Sequence, residues 1–368
     1  MPPPNPDTVA VFTKPGHPKF VASMFSRLFG TLFGVLAFPS GVWRKLPEFA
    51  IYDDTLRAGP MSANKKEWLM NMKARKFLEY AKTFTPQVLF RGFTPDSGGG
   101  EDERLNGPHG VVPHGFLDGT IPTSMWRTLH LSAMISGHLE GDENIVSDFS
   151  SWTQTWMTAL RFSRYPHNKE ARIAVLDTSS IEEHVWSSCD LLRADLTEDE
   201  YPDEYLIYGP ITGPKYHYVS PYELYNKTRI RDLLGSAPSV FGENPDSLAI
   251  EQDAVESAKA VAAFLQPRSG RGETLAVLTA RFVSYRAARI TQNDSDRRQY
   301  LSYKDIEKYL SCVESQIDHL AKNARDGEVV LVDATMYAGK RYLRFEVQLL
   351  QAVENAVRIR AHELRSTM

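Results

Sequence analysis

The sequence predicts an α+β fold in which strands fill the middle of the chain and helices dominate after them. Short β-branched and aromatic runs cluster between Gln87 and Val219, while helical periods of apolar residues take over from Ser247 onward. No segment repeats at a fixed period, so a helical array is not supported. The expected organisation is a flexible arm and helical extension over 1–83, a β core over 84–226, and a helical domain over 227–368.

Length and composition agree with this. At 368 residues, with 42% hydrophobic and 24% charged residues, the chain has the composition of an ordinary soluble globular protein. A formal net charge of -4 argues against dedicated nucleic-acid binding. The two cysteines, Cys189 and Cys312, fall in different predicted domains, which argues against a disulfide framework and for a reducing compartment. No zinc-type Cys/His spacing occurs, so no structural metal is expected.

Met1 to Pro18 is rich in proline with little to bury, and reads as a flexible arm. Residues 20–38 carry Val21, Met24, Phe25, Leu28, Leu32, Val35 and Leu36 at helical spacing. That segment is either docked on the protein's own core or in peripheral contact with a membrane surface; Arg27 interrupts it as a transmembrane span. Without a visible secretory signal, an intracellular, cytoplasmic protein is expected.

Asn64 to Lys82 reads as a surface helix ended by Pro86, and Gln87 to Gly92 as the first core strand, with Arg91 near its end. A glycine-rich loop at Asp96 to Gly100 follows, then a helix from Trp126 to Leu139. Asn144 to Ser151 reads as a strand running into serines, and Trp152 to Arg164 as a second helix. Ala171 to Asp177 is a near-continuous apolar run, as expected of a fully buried strand. An irregular stretch to Tyr201 leads into Asp203 to Ile211, a strand that begins with acids and stops at Gly209-Pro210, and Lys215 to Val219 adds an edge strand. Beyond Tyr225, amphipathic helices are expected over 247–266, 273–292, 302–323 and 341–364, with a short strand at 328–333.

Taken alone, Glu204 reads as an acid capping a strand in water. Arg91, Ser147 and Glu204, in that order on three strands with a long insertion between each pair, give it another meaning. The arrangement resembles the Arg-Ser-Glu triad of the ADP-ribosyltransferase fold, in the branch of the enterotoxin A subunits, and more closely an uncharacterised fungal group with a degenerate enterotoxin-like core. Glu204-Tyr-Leu-Ile-Tyr-Gly209-Pro-Ile211 looks like that branch's catalytic strand.

The resemblance covers roughly Gln87 to Tyr225. It implies a split, mixed β core with NAD as substrate, and either an ADP-ribosyltransferase acting on an unknown protein acceptor or an NAD glycohydrolase. Arg91 would grip the dinucleotide, Ser147 would orient the carboxylate, with Ser150 or Ser151 as substitutes in a loose serine motif, and Glu204 would be the catalytic carboxylate. Arginine-specific transferases carry Glu or Gln two positions before that residue, where this chain has Pro202, and the period of two in a strand turns Asp203 to the other face. An inactive relative that uses the fold as an interaction module is the alternative. His109, His114, His130 and His138 show no metal-type pairing and read as surface or loop histidines.

Overall fold

The computed structural model describes residues 59–60, 68–69, 72–81, 85–95, 97, 105–117, 131–142, 145–179, 181, 184–198, 201, 203–234, 250–268, 272–290, 301–324, 331 and 341–366. All of these belong to one compact unit, Phe49–Met368. The expectations for the proline-rich arm, for residues 20–38, for His130 and for Pro202 lie outside the described residues, as does nearly all of the strand expected at 328–333, of which Leu331 is outside any strand.

Two short strands, β1 (Gly59–Pro60) and β2 (Trp68–Leu69), pair before helix α1 (Met72–Ala81). The predicted helix therefore begins later than its periodicity suggested, because Trp68 and Leu69 are taken by a ladder. The strands that follow are β3 (Val88–Phe93), β4 (Gly110–Val111) and, after helix α2 (Leu131–Glu140), β5 (Phe149–Thr153). Helix α3 (Trp156–Phe162) precedes β6 (Arg172–Asp177). The stretch predicted irregular holds β7 (Val185–Ser187) and α4 (Ser188–Arg193). Then come β8 (Glu204–Tyr208), β9 (Ile211–Thr212) and β10 (Tyr216–Val219).

The main sheet has the order β10-β6-β3-β5-β8-β7. Every pairing within it is antiparallel, so the expected mixed sheet is corrected to an antiparallel one. The sheet is nonetheless split at its middle. β3 pairs with β6 over six residues and β5 with β8 over five, whereas β3 and β5 share only Phe90↔Thr153.

Serine placement is a second correction. The strand that was expected to end in serines contains them, and the helix expected from Trp152 starts at Trp156, where the Thr155 side chain accepts from the Thr158 N–H. Buried Ser150 is tolerated inside the strand because its Oγ takes the Trp152 Nε1–H at 2.9 Å.

Three apolar clusters hold the sheet. One combines Val88, Phe90, Ile173, Val175 and Val219 with Trp156 and the C-terminal helices. Those helices are α5 (Pro221–Lys227), α6 (Ile230–Leu234), α7 (Gln252–Leu265), α8 (Gly272–Ile290), α9 (Tyr303–Cys312), α10 (Glu314–Asn323) and α11 (Arg341–Ser366). The long helix expected at 302–323 starts as predicted at the Ser302 cap but breaks at Val313 (φ -104, ψ 17) into α9 and α10. A second cluster packs α1, α2 and α4 against Phe149, Leu206 and Tyr208. A third joins the two half-sheets, through Leu89 and Phe93 on one side and Trp152, Tyr205 and Ile207 on the other. Alternation thus sends the odd residues of β3 and the even residues of β5 to a shared interior.

Gly92 is what lets α3 lie on β3. A Cβ there would sit 1.7 Å from the Ala159 carbonyl oxygen, so only glycine fits. Neither Cys189 nor Cys312 is in a disulfide, and both are half-buried. No described helix is long and apolar enough to cross a membrane.

Candidate active site at the split between the half-sheets

β8 is apolar on both faces from Tyr205 to Tyr208 and opens with a carboxylate. It ends where Gly209 turns to φ +86 and donates its N–H to the Asp148 carbonyl, and Pro210 has no donor to continue the ladder. Glu204 is therefore fixed at the strand mouth, opposite Thr153. Ser151 lies two residues along β5 and points to the same face, within reach of Glu204.

The Ser151 hydroxyl lies close enough to the Glu204 carboxylate to favour its charged form. Burial raises the Glu204 pKa above the ordinary carboxylate range, while the Ser151 hydroxyl and the charge of Arg91 act against that rise. Arg91, on β3, crosses the gap between the half-sheets: its Nη1 donates to the Ser151 carbonyl at 2.6 Å, and its Nε donates to Asn106 Oδ1 at 2.8 Å. Asn106 is in turn anchored through Nδ2 to the Ser97 carbonyl at 2.7 Å. Burial pulls the Arg91 guanidinium down to about 10, opposed by Tyr216 and by the Glu204 carboxylate. Tyr216 itself donates to the Gly107 carbonyl at 2.8 Å, and burial raises its phenol.

His138 is the residue that sequence reasoning missed. It lies on α2, with Nε2 2.8 Å from Ser151 Oγ and its ring edge-on to Phe149. Burial, reinforced by the Arg91 charge, lowers its pKa to about 4. It is not the surface or loop histidine its sequence neighbours suggested, since α2 folds back over β5 and brings the ring to the serine. A helical count from Ile135 and Leu139, both buried on the same helix, was the one available signal. His109 is exposed in a turn, and His114 sits in a short 3-10 helix.

The structure brings together Arg91, Ser151 and Glu204. Ser147 is not with them: it precedes β5, its Oγ accepts the Phe149 N–H at 3.1 Å, and its carbonyl accepts the Gly115 N–H. Ser147 lies six positions before Thr153, the register partner of Glu204. Ser150 points to the opposite face, to Trp152. The charge of Asp203 is felt at Tyr285, on helix α8, and that of Glu204 at Arg91. Among the described residues no group of three or more His, Cys, Asp or Glu side chains could hold a metal ion.

Chemically, the site combines a cation, a carboxylate of raised pKa and a hydroxyl bonded to a neutral imidazole. A fixed carboxylate, in its charged form, can stabilise positive charge that develops in a transition state. No curated protein and no solved structure matches the chain. A protein-family profile described as a domain of unknown function, DUF7587, matches residues 84–214, a span that contains Arg91, His138, Ser151 and Glu204.

Proposed function

We propose that the chain cleaves NAD at the nicotinamide–ribose bond. The observation that carries this reading is the meeting of Arg91, Ser151 and Glu204 from three adjacent strands, β3, β5 and β8, in the chain order of an Arg-Ser-Glu triad. The fold assignment that accompanies it is the split β core of the ADP-ribosyltransferase type. The single register pair between the half-sheets supports that assignment.

In this reading Arg91 holds a phosphate or ribose hydroxyl of the dinucleotide with its remaining N–H donors. Glu204 accepts a ribose hydroxyl and stabilises the oxocarbenium as the C1′–N bond breaks and its electron pair leaves with nicotinamide. Ser151, rather than Ser147, holds the carboxylate rotamer. The nucleophile, water or a protein side chain, forms the new bond to C1′ and releases its proton to solvent. An arginine acceptor is not favoured, because Pro202 offers no side-chain acceptor at the position that would activate it.

The grip of Asn106 and of the Ser151 carbonyl on Arg91 favours a second reading, in which the same fold serves as a non-catalytic interaction module. Incubation of the full chain with NAD labelled in the adenosine moiety decides between them. Free ADP-ribose indicates hydrolysis, label on protein in an added extract indicates transfer, and intact NAD with no bound label indicates the module.

A further inference from the structure

The gap between the half-sheets is bridged on both sides of its one register pair, each time by an arginine. Toward the end of β3 the bridge is Arg91 to the Ser151 carbonyl. On the other side it comes from far outside residues 84–214. Arg281, on α8, donates Nη1 to the Val88 carbonyl at 3.1 Å and to the Gln154 carbonyl at 3.0 Å, one acceptor on β3 and one on the residue that directly follows β5.

The Arg281 side chain is fully buried and held in place. Glu346, on α11, takes its Nε at 3.0 Å and its Nη2 at 2.9 Å, and the guanidinium lies over the Phe90 ring at 5.5 Å. Phe90 is itself the β3 member of the register pair. A planar fork can satisfy a carboxylate on one edge and two carbonyls on another, which the single Nζ of a lysine cannot do. Stability alone is a weak reason to bury such a pair, because apolar residues of similar volume are often as good or better.

We infer that Arg281, locked by Glu346, is a positioning residue that sets the separation of β3 and β5 and so places Arg91 against Ser151 and Glu204. The C-terminal helices then belong to the active-site geometry rather than forming an appendage to it. The turnover part of this inference rests on the NAD-cleaving reading, but the geometric part does not.

The test uses the full chain with two substitutions. The pair Arg281→Met with Glu346→Leu removes both charges together, leaving local net charge unchanged. Arg281→Lys keeps the ion pair and loses the double carbonyl bridge. Two quantities are read in each folded variant: the His138 imidazole titration by NMR without ligand, and nicotinamide release from NAD. Arg91 lowers the His138 pKa, so relaxation of the gap moves that pKa upward, in the direction given by an Arg91→Met control. Turnover falls by about 10-fold or more, as a displaced substrate-binding group requires. A folded variant with wild-type titration and wild-type turnover overturns the inference. So does failure of both variants to fold, which would make Arg281 a folding residue only. If wild type does not cleave NAD, the titration still decides the positioning role, and only the functional reading is lost.

Discussion

His138 Nε2 and Ser151 Oγ lie 2.8 Å apart, and the serine hydroxyl has only one proton to give. Given to Glu204, whose charged form Ser151 favours, that proton would leave the imidazole as donor in the other bond; given to Nε2, it would make the imidazole the acceptor. In both cases the imidazole is neutral, its pKa held near 4 by burial and the Arg91 charge. Helix α2 is thus tied to strand β5 at Ser151, beside the carboxylate that opens strand β8.

Ser151→Ala removes the hydroxyl that holds His138 and favours the charged form of Glu204. The Glu204 pKa should therefore rise further, and NAD turnover should fall about 10- to 100-fold, the size of a lost hydrogen bond to a charged group. Ser147→Ala should leave both within about twofold. Carboxyl-carbon NMR and nicotinamide release measure the two effects, and the reverse ranking would return the orienting role to Ser147.

The depressed His138 pKa sets a sign for stability against pH. Between pH 6.5 and about 4 the unfolded chain binds a proton at His138 that the folded chain does not, so stability falls as pH drops through that window. The full effect is at most about 3 kcal/mol. Glu204 acts oppositely: its raised pKa lets the folded state keep a proton longer, so its contribution declines as pH rises above 4.5. Urea denaturation of His138→Gln across this range should show a flatter acid limb than wild type.

Glu346→Ala, unlike the paired apolar replacement, leaves the Arg281 charge buried and alone. A loss of about 3–5 kcal/mol is expected from chemical denaturation. A loss below about 1 kcal/mol would mean that the pair is not buried in solution.

How much of this was legible in the sequence depended on the kind of signal. The Arg172–Asp177 and Glu204–Tyr208 strands could be read because each is a run of β-branched or aromatic residues closed by turn chemistry. The serine strand was misplaced because Ser150 and Ser151 lack the β-branched or aromatic character that marks a strand, and Trp152 reads from the sequence as the start of the next helix. Only the partners of that strand, the β8 ladder and the Trp152 indole, reveal it. Arg281 was invisible for a different reason, and His138 showed only its helical spacing from Ile135 and Leu139. Their partners lie 13 residues and 65 or more residues away along the chain, and no local pattern names them.

Gly92→Ala tests the packing that orients β3. With backbone atoms of Ala159 and Ser163 inside contact distance, neither strand nor helix can yield cheaply. A destabilisation of about 1–3 kcal/mol or more is expected, together with weakened NAD binding as Arg91 shifts with its neighbour. Thermal unfolding and calorimetric titration with NAD report the two.

The central claim, that Glu204 is a catalytic carboxylate, is tested most directly by Glu204→Gln. The substitution keeps the shape but removes the charge. Nicotinamide release under saturating NAD should fall by at least about 10²-fold, equivalent to about 2.7 kcal/mol of transition-state stabilisation, while NAD binding and thermal stability stay close to wild type. Equal release from the variant and the wild-type chain, or no release from wild type at all, would contradict the account.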